Sequence, residues 1–155
     1  MNILFICTGN ASRSVMAEYF FRAFLQERNA TGIFSSSAGT EAREGEPANA
    51  IAIQVCKERG VDVTAHRRRR LTAELVQQAD VIVGMEAANL AAVSALGGRE
   101  EQCVLLSGGI PDPYRHPKAV FETVCDCVIV GLPELYQQIL SKQTHCEVVW
   151  GFAAP

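Results

Sequence analysis

The sequence lacks a long hydrophobic run, an excess of either charge and the features of an export signal. No apolar stretch approaches the roughly 20 residues that a membrane-spanning helix needs. The formal net charge of −3 gives neither the basic surface typical of nucleic-acid binding nor strong attraction to an anionic membrane. The N-terminus, Met1 to Ile6, has no basic flank and no small-residue cleavage site. We therefore expect a cytoplasmic protein with no nucleic-acid or membrane partner.

Paired metal-ligand spacing is also absent. The six cysteines are Cys7, Cys56, Cys103, Cys125, Cys127 and Cys146. No two of them form a Cys-x-x-Cys pair, so we expect neither a zinc site nor another metal. Without a secretion signal, a disulfide framework is not expected either. The four cysteines from Cys56 to Cys127 are predicted to be small apolar residues of the core.

Short apolar segments alternate with helical patterns along the chain. Strands are predicted at 2–6, 32–37, 80–84 and 102–106, and helices at 12–27, 48–59, 86–95 and 117–142, with a short one from Thr72. The strand segments show no polar alternation, which is typical of parallel strands covered on both faces. A length of 155 residues suits one domain. We expect one α/β domain over residues 1–142 and assign no place to the apolar tail 143–155.

The stretch FICTGNASRSVMAEYFF (residues 5–21) places Cys7 at the end of the first strand and Arg13 where the first helix begins. In parallel α/β sheets, ligands bind at this edge, beside helix N-termini. Converging loop N–H groups and the helix dipole attract an anion there. Gly9 and Asn10 give the loop conformational freedom. The pattern predicts a cradle for a tetrahedral oxyanion, in which Arg13 binds two oxygens.

Cys7 is the candidate nucleophile of this cradle. An unperturbed thiol has a pKa of about 8.5, whereas thiols at helix N-termini beside an arginine can reach about 3.5–7.5. Ser14 can donate a hydrogen bond to the sulfur. The spacing of Cys7 and Arg13 alone is a weak signal, since such pairs also arise by chance. The strand before the loop, the Gly-Asn turn and the helix after it carry the inference.

The segment Cys7-Thr-Gly-Asn-Ala-Ser-Arg-Ser14, followed by Met16-Ala-Glu18, resembles the signature loop of the low-molecular-weight protein tyrosine phosphatases. Similar segments follow in the same order: Ser37-Ala-Gly-Thr40, His66, Arg69 to Thr72, Asp80 to Met85 and Asp112-Pro-Tyr114. Together they cover residues 2 to about 140. The resemblance implies a doubly wound, four-stranded parallel sheet with helices on both faces, and an enzyme without a cofactor.

The resemblance also implies a reaction. It is that of a metal-independent phosphomonoester hydrolase, which acts through a cysteinyl-phosphate intermediate on protein phosphotyrosine or small aryl phosphates. Cys7 attacks phosphorus, Arg13 stabilises the transferring group, and Asp112 protonates the leaving oxygen. Asp112 lies between two prolines, which suits a rigidly held general acid.

The other expected site residues fall into two groups. Contacts with the phosphate or substrate are expected from Thr8, Gly9, Asn10, Ala11, Ser12, Ser14, Arg43 and Tyr114. By the family pattern, Asn10 and Ser14 also form a hydrogen-bond network with Ser37 and His66 that fixes the loop. The arginine run 67–70 is predicted to be a solvated face.

Four features depart from the family's usual pattern. Ser12 stands where many members carry a second cysteine that can form a protective disulfide with the nucleophile, and Val15 stands where proline is usual. Ala11 replaces an isoleucine, or the threonine of the phosphoarginine-specific branch. Residues 41–46 contain no aromatic side chain for the pocket mouth. These departures bear on substrate preference more than on catalysis.

Three other functions stay open at this stage. One is a protein-arginine phosphatase of the same family. Another is a thiol-linked arsenate reductase, which needs further redox cysteines near residues 84–95, where the sequence has none. The third is a non-catalytic phosphate-binding module, which would not need Cys7, Arg13 and Asp112 together.

Overall fold

The computed structural model describes the backbone of residues 1–150 and the side chains of residues 1–142. The strands are β1 (Asn2–Cys7), β2 (Phe34–Gly39), β3 (Val81–Gly84) and β4 (Cys103–Leu105). The helices are α1 (Arg13–Glu27), α2 (Ala50–Glu58), α3 (Ala73–Gln78), α4 (Ala87–Ala95) and α5 (Lys118–Trp150). Two short 3-10 turns, Glu100–Gln102 and Leu106–Gly108, flank β4.

The strands form one sheet with the order β2-β1-β3-β4, and every pairing is parallel. Successive side chains of β1 point to opposite faces. Ile3, Phe5 and Cys7 pack in the layer that contains α1, α2 and α5, whereas Leu4 and Ile6 pack in the layer that contains α3 and α4. Both layers exclude water, which explains the continuous apolar runs. The predicted four-stranded parallel sheet with helices on both faces is confirmed.

The direction of winding changes between β1 and β3. The chain leaves β1 toward β2 through α1 on one face, and it leaves β3 toward β4 through α4 on the other face. Such a change opens a crevice outside the carboxyl ends of the two strands, where ligands bind in open α/β sheets. Cys7 ends β1, and Glu86 follows the end of β3 by two positions. The topology therefore places both residues at the expected binding edge.

The last helix and one cysteine differ from expectation. α5 runs to Trp150 with Pro133 inside it, so the predicted end at residue 142 is wrong. The side chains of 143–150 and all of 151–155 lie outside the described residues, and so does the question of where the apolar tail sits. Cys127 is exposed, not a core residue as predicted. It follows the buried Cys125 by two positions, which places it on the opposite side of a helix.

Within the described part of the chain, no helix is both long and apolar enough to span a membrane.

Candidate active site

The loop between β1 and α1 forms the floor of a cleft. Cys7 is 3% exposed at the end of β1. Asn10 adopts a left-handed conformation with φ of 49°, which asparagine tolerates better than most residues. The side chain of Ser12, the residue before α1, does not cap the helix. The first N–H groups of α1 therefore stay available to an anion beside the cysteine.

The end of β2 presses against this loop. A Cβ atom at Gly39 would lie 2.7 Å from both the Asn10 nitrogen and the Thr8 oxygen, closer than packed atoms allow. Backbone hydrogen bonds join Thr40 N–H to Cys7 O (3.0 Å) and Glu41 N–H to Thr8 O (2.9 Å). The absence of a side chain at Gly39 thus lets the strand brace the loop directly.

A chain of hydrogen bonds leads to the sulfur of Cys7. The direction of each bond follows from the groups that can only donate. The Asn10 side-chain N–H groups donate to Ser14 Oγ and to Ser37 Oγ, both at 2.9 Å. Because Ser14 Oγ accepts there, its own hydrogen can point at Cys7 Sγ, 3.0 Å away. A hydroxyl donor aimed at the sulfur can stabilise negative charge there. Asn10 and Ser14 are both fully buried, so they lie behind the loop and outside the cleft lining.

A buried carboxylate anchors the far end of this chain. Ser37 Oγ donates to Glu18 Oε2 at 2.5 Å, and Glu18 forms an ion pair with Arg22 at 2.5 Å. His66 packs beside them and bonds to Asn10 O through Nε2 at 3.1 Å. Since a carbonyl oxygen only accepts, Nε2 carries the proton. No buried side-chain nitrogen or oxygen atom in the described residues lacks a partner.

Burial lowers the pKa of His66 below its ordinary value of 6.5. The hydrogen bond to Asn10 and the Glu18 carboxylate act in the opposite direction, while Arg68 and Arg69 add to the lowering. Burial disfavours the charged ring most. His66 is therefore neutral near pH 7, with Nδ1 unprotonated and 4.0 Å from Glu18 Oε2.

Arg13 is the largest fully buried side chain of the protein's described part. Its guanidinium contacts two carboxylates through Nη2, with Asp112 Oδ2 at 3.1 Å and Glu86 Oε1 at 3.4 Å. Nη1 donates to Ile110 O at 3.0 Å. Thr8 Oγ1 donates to the same Glu86 oxygen at 3.1 Å, so Glu86 links the loop to the end of β3. Three partners therefore fix the orientation of this planar fork.

Asp112 is held at the rim of the cleft. Its Oδ1 accepts the Tyr114 N–H at 3.0 Å, an Asx turn made by its own loop. Its Oδ2 reaches Arg13, as described above. The Asp112 side chain is 47% exposed, so it can meet a substrate atom that enters from solvent.

The cleft above Cys7 has a volume of about 410 Å³. Nine expected site residues line it: Cys7, Thr8, Gly9, Ala11, Ser12, Arg13, Arg43, Asp112 and Tyr114. Four further residues that the sequence did not indicate also line it: Glu41, Glu46, Asn49 and Arg68. Tyr114 is 63% exposed and offers an aromatic surface at the mouth. The opposite loop offers Arg43, whose ion pair with Glu46 is long, at 3.9 Å.

Besides those four lining residues, the sequence assigns no role to three residues that support the site: Glu18, Glu86 and Arg69, whose Nε donates to Ser37 O. Glu86 carries a usable signal, because it follows a predicted strand by two positions at the binding edge. Glu18 also has one, since it lies four positions after Ser14 on the same helix face. Arg69 has no local signal that separates it from the other arginines of the run 67–70.

Comparisons with known proteins show which family the chain resembles. Residues 2–145 match the family described as low molecular weight phosphotyrosine protein phosphatase. The low molecular weight protein-tyrosine-phosphatase Etp of Escherichia coli strain K12 is 36% identical over 129 residues, which cover 79% of this chain and 84% of Etp.

Two solved structures illustrate the range of relatives. Vibrio vulnificus Wzb in complex with benzylphosphonate superposes with a TM-score of 0.79 at 30% identity, covering 88% of this chain and 97% of Wzb. The YwlE arginine phosphatase from Geobacillus stearothermophilus gives a TM-score of 0.81 at 27% identity, covering 93% of this chain and 96% of YwlE.

Proposed function

The chain belongs to the low molecular weight phosphotyrosine protein phosphatase family, and on that premise we propose which of its residues perform the hydrolysis and on which substrate. The observation that carries the proposal is the meeting of Cys7, Arg13 and Asp112 in one cleft. Each has a role that the others complete: a nucleophile, a cationic fork and a proton donor. The cleft floor is a helix N-terminus, which suits a phosphate dianion.

In the first step, Cys7 Sγ attacks phosphorus as the thiolate, and an S–P bond forms while the ester P–O bond breaks. The hydroxyl of Ser14 stabilises the attacking sulfur. Arg13 and the loop N–H groups stabilise the three equatorial oxygens. The carboxyl group of Asp112 gives its proton to the departing oxygen, so that the product leaves as a neutral alcohol or phenol.

In the second step, Asp112, now a carboxylate, takes a proton from a water molecule that attacks phosphorus. The S–P bond breaks, inorganic phosphate forms, and Cys7 returns to the thiolate. One residue thus serves as acid and then as base. Its exposed position at the rim places it on the side of the cleft that water reaches.

For the substrate, we propose phosphotyrosine in a protein or a small aryl phosphate. Tyr114 supports this choice because its exposed ring can pack against a substrate ring above the cradle. The Wzb relative, whose structure holds benzylphosphonate, carries an aromatic phosphate analogue. Phosphoarginine is the competing substrate, because an arginine phosphatase is among the structural neighbours. The threonine expected for that branch is absent, since residue 11 is alanine.

The experiment is a comparison of kcat/KM on matched phosphotyrosine and phosphoarginine peptides, with the wild type and with Tyr114→Ala. We expect the wild type to prefer phosphotyrosine. Loss of one aromatic contact is worth about 0.5–1.5 kcal/mol, so Tyr114→Ala should raise KM for aryl phosphates several-fold with little change in kcat. A clear preference for phosphoarginine, or an unchanged KM in Tyr114→Ala, would refute this choice of substrate.

We also propose a cytoplasmic location. The described cysteines, Cys7, Cys56, Cys103, Cys125 and Cys127, are all free thiols, which suits a reducing compartment.

A further inference from the structure

The four consecutive arginines at 67–70 do not share one role. The side chain of Arg67 donates to the nearby carbonyl groups of Thr64 and His66. Arg68 lines the cleft and forms an ion pair with Glu46 at 3.0 Å. The sequence predicts that the run is a uniform solvated face, and this prediction is wrong.

Arg69 differs from its neighbours because it forms three hydrogen bonds to residues that are part of the loop after β1 or that support it. Its backbone N–H donates to Asn10 Oδ1 at 3.0 Å. Its Nε donates to Ser37 O at 2.8 Å. Its carbonyl oxygen accepts the Gly39 N–H at 2.9 Å.

These bonds close a ring, because Asn10 Nδ2 itself donates to Ser37 Oγ at 2.9 Å. Within the ring, the bond from Arg69 N–H fixes which end of the Asn10 amide is oxygen. The amide nitrogen is thereby directed at Ser14 and Ser37. The ring thus determines the donor that reaches the sulfur of Cys7.

The side chain of Arg69 contributes the bond that the sheet cannot make. Among the described residues, β2 is an edge strand, and no strand pairs with Ser37 on the side that faces away from β1. The Nε–H group of Arg69 satisfies the carbonyl there. Among the described residues, Arg69 has no carboxylate within ion-pair distance, which indicates that its donor geometry matters more than its charge.

We propose that Arg69 is a positioning residue, which acts through Ser37 and Asn10 to hold the Ser14 hydroxyl on the Cys7 sulfur. The inference rests on the proposed function of Cys7. Arg69 itself lies behind the loop and does not line the cleft.

The test compares Arg69→Met, which keeps the apolar stem and removes Nε–H, with Arg70→Met. Arg70 is the matched control, because it is exposed and it donates to Glu44 Oε1 through its backbone N–H, which Met would keep, at 3.2 Å. For Arg69→Met we expect kcat on p-nitrophenyl phosphate to fall about tenfold with KM within about twofold, as a slightly misplaced catalytic group predicts. Arg70→Met should match the wild type.

A second readout follows the sulfur directly. The rate at which iodoacetate alkylates Cys7 should fall in parallel with kcat in Arg69→Met, because the sulfur loses the correctly placed hydroxyl of Ser14, which lies 3.0 Å away in the wild type. Mass spectrometry of the Cys7 peptide gives this rate. Arg69→Lys, which keeps one nitrogen donor, should recover part of both losses, and it carries the test if Arg69→Met does not fold.

A thermal unfolding midpoint that falls while kcat and the alkylation rate stay at wild-type values would overturn the proposal, since that is the signature of a merely structural role. Equal losses in Arg69→Met and Arg70→Met would also overturn it. If the wild type itself showed neither turnover nor phosphate-protected alkylation, the proposed function would fail instead, so the two failures are distinguishable.

Discussion

Replacing Asp112 by asparagine should slow turnover and yet tighten the binding of oxyanions. The reason is that Asp112 Oδ2 occupies a donor of Arg13 at 3.1 Å, and an incoming phosphate must take over that donor. Asparagine keeps an oxygen for the Tyr114 N–H, which Asp112 Oδ1 accepts at 3.0 Å, so the rim loop keeps its turn. Only the negative charge and the transferable proton are lost.

The magnitudes follow from the exposure of the pair. The Asp112 side chain is 47% exposed, so the ion pair with Arg13 is screened by water and is worth about 1 kcal/mol or less. Its removal should tighten phosphate or vanadate binding by up to about fivefold. Glu86 remains on Arg13 at 3.4 Å, so the fork keeps its place. Loss of a general acid should lower kcat by roughly 10²–10⁴ for a poor leaving group.

The assay has two parts. Inhibition constants for phosphate and vanadate against p-nitrophenyl phosphate measure the first effect, and turnover of a series of aryl phosphates with phenols of increasing pKa measures the second. The slowing should grow with the pKa of the phenol, because a poor leaving group depends most on the proton. Equal slowing across the series, or weaker oxyanion binding by Asp112→Asn, would refute the reasoning.

Three further predictions concern oxidation, pH and metals. Peroxide should inactivate the enzyme with poor recovery by reductant, because Ser12 provides no thiol beside Cys7, and Ser12→Cys should improve recovery; a native disulfide at Cys7, seen by mass spectrometry, would contradict this. The pKa of His66 is lowered in the folded state, so the unfolded chain takes up a proton at a higher pH than the folded protein does. The free energy of unfolding should therefore fall as the pH drops below about 6.5. In denaturant titrations His66→Gln should show a smaller fall, and an equal fall would contradict this prediction. Chelators such as EDTA should leave turnover unchanged, and activity that is lost and then restored by an added metal would point to another class of enzyme.

The sequence was informative where a signal is local. An apolar run followed by a Gly-Asn turn and a helix start predicts β1, the loop and α1, because each depends on neighbours within a few positions. The flanking prolines of Asp112 suit a rigidly held acid, but its role followed from the family resemblance and from the cradle of Cys7 and Arg13. The parallel sheet followed from strands without polar alternation, and the structure confirms it.

The residues that support the site are harder to predict from the sequence, because their contacts join distant parts of the chain. Glu86 reaches Arg13 across 73 positions, and Arg69 reaches Asn10 across 59. Only the placement of β3 beside β1 creates the first contact. The second depends on the backbone bridge between Gly39 and Arg70, which brings the Arg69 N–H group beside the Asn10 side chain. The local sequence pattern places Glu86 after a predicted strand, but it does not show that Arg13 is its partner, and it gives no sign of the contact between Arg69 and Asn10.

The contact between two buried thiols, Cys56 and Cys125, could not be predicted from the sequence either. The pKa of the Cys56 thiol is raised, chiefly by its hydrogen bond with the Cys125 thiol and also by burial. Cys56 is therefore a poor candidate to form a disulfide with oxidised Cys7. Cys56 lies on α2 and Cys125 on α5, and the sequence alone does not bring the two together.

The proposed reaction passes the phosphoryl group through the sulfur of Cys7, and this covalent intermediate can be trapped. The wild type is mixed rapidly with p-nitrophenyl phosphate, quenched and digested, and the peptides are examined by mass spectrometry, with Cys7→Ser as the control. We expect a phosphoryl group on Cys7 in the wild type, and in Cys7→Ser no turnover but retained vanadate binding. A phosphoryl group on another residue, or full turnover by Cys7→Ser, would contradict it.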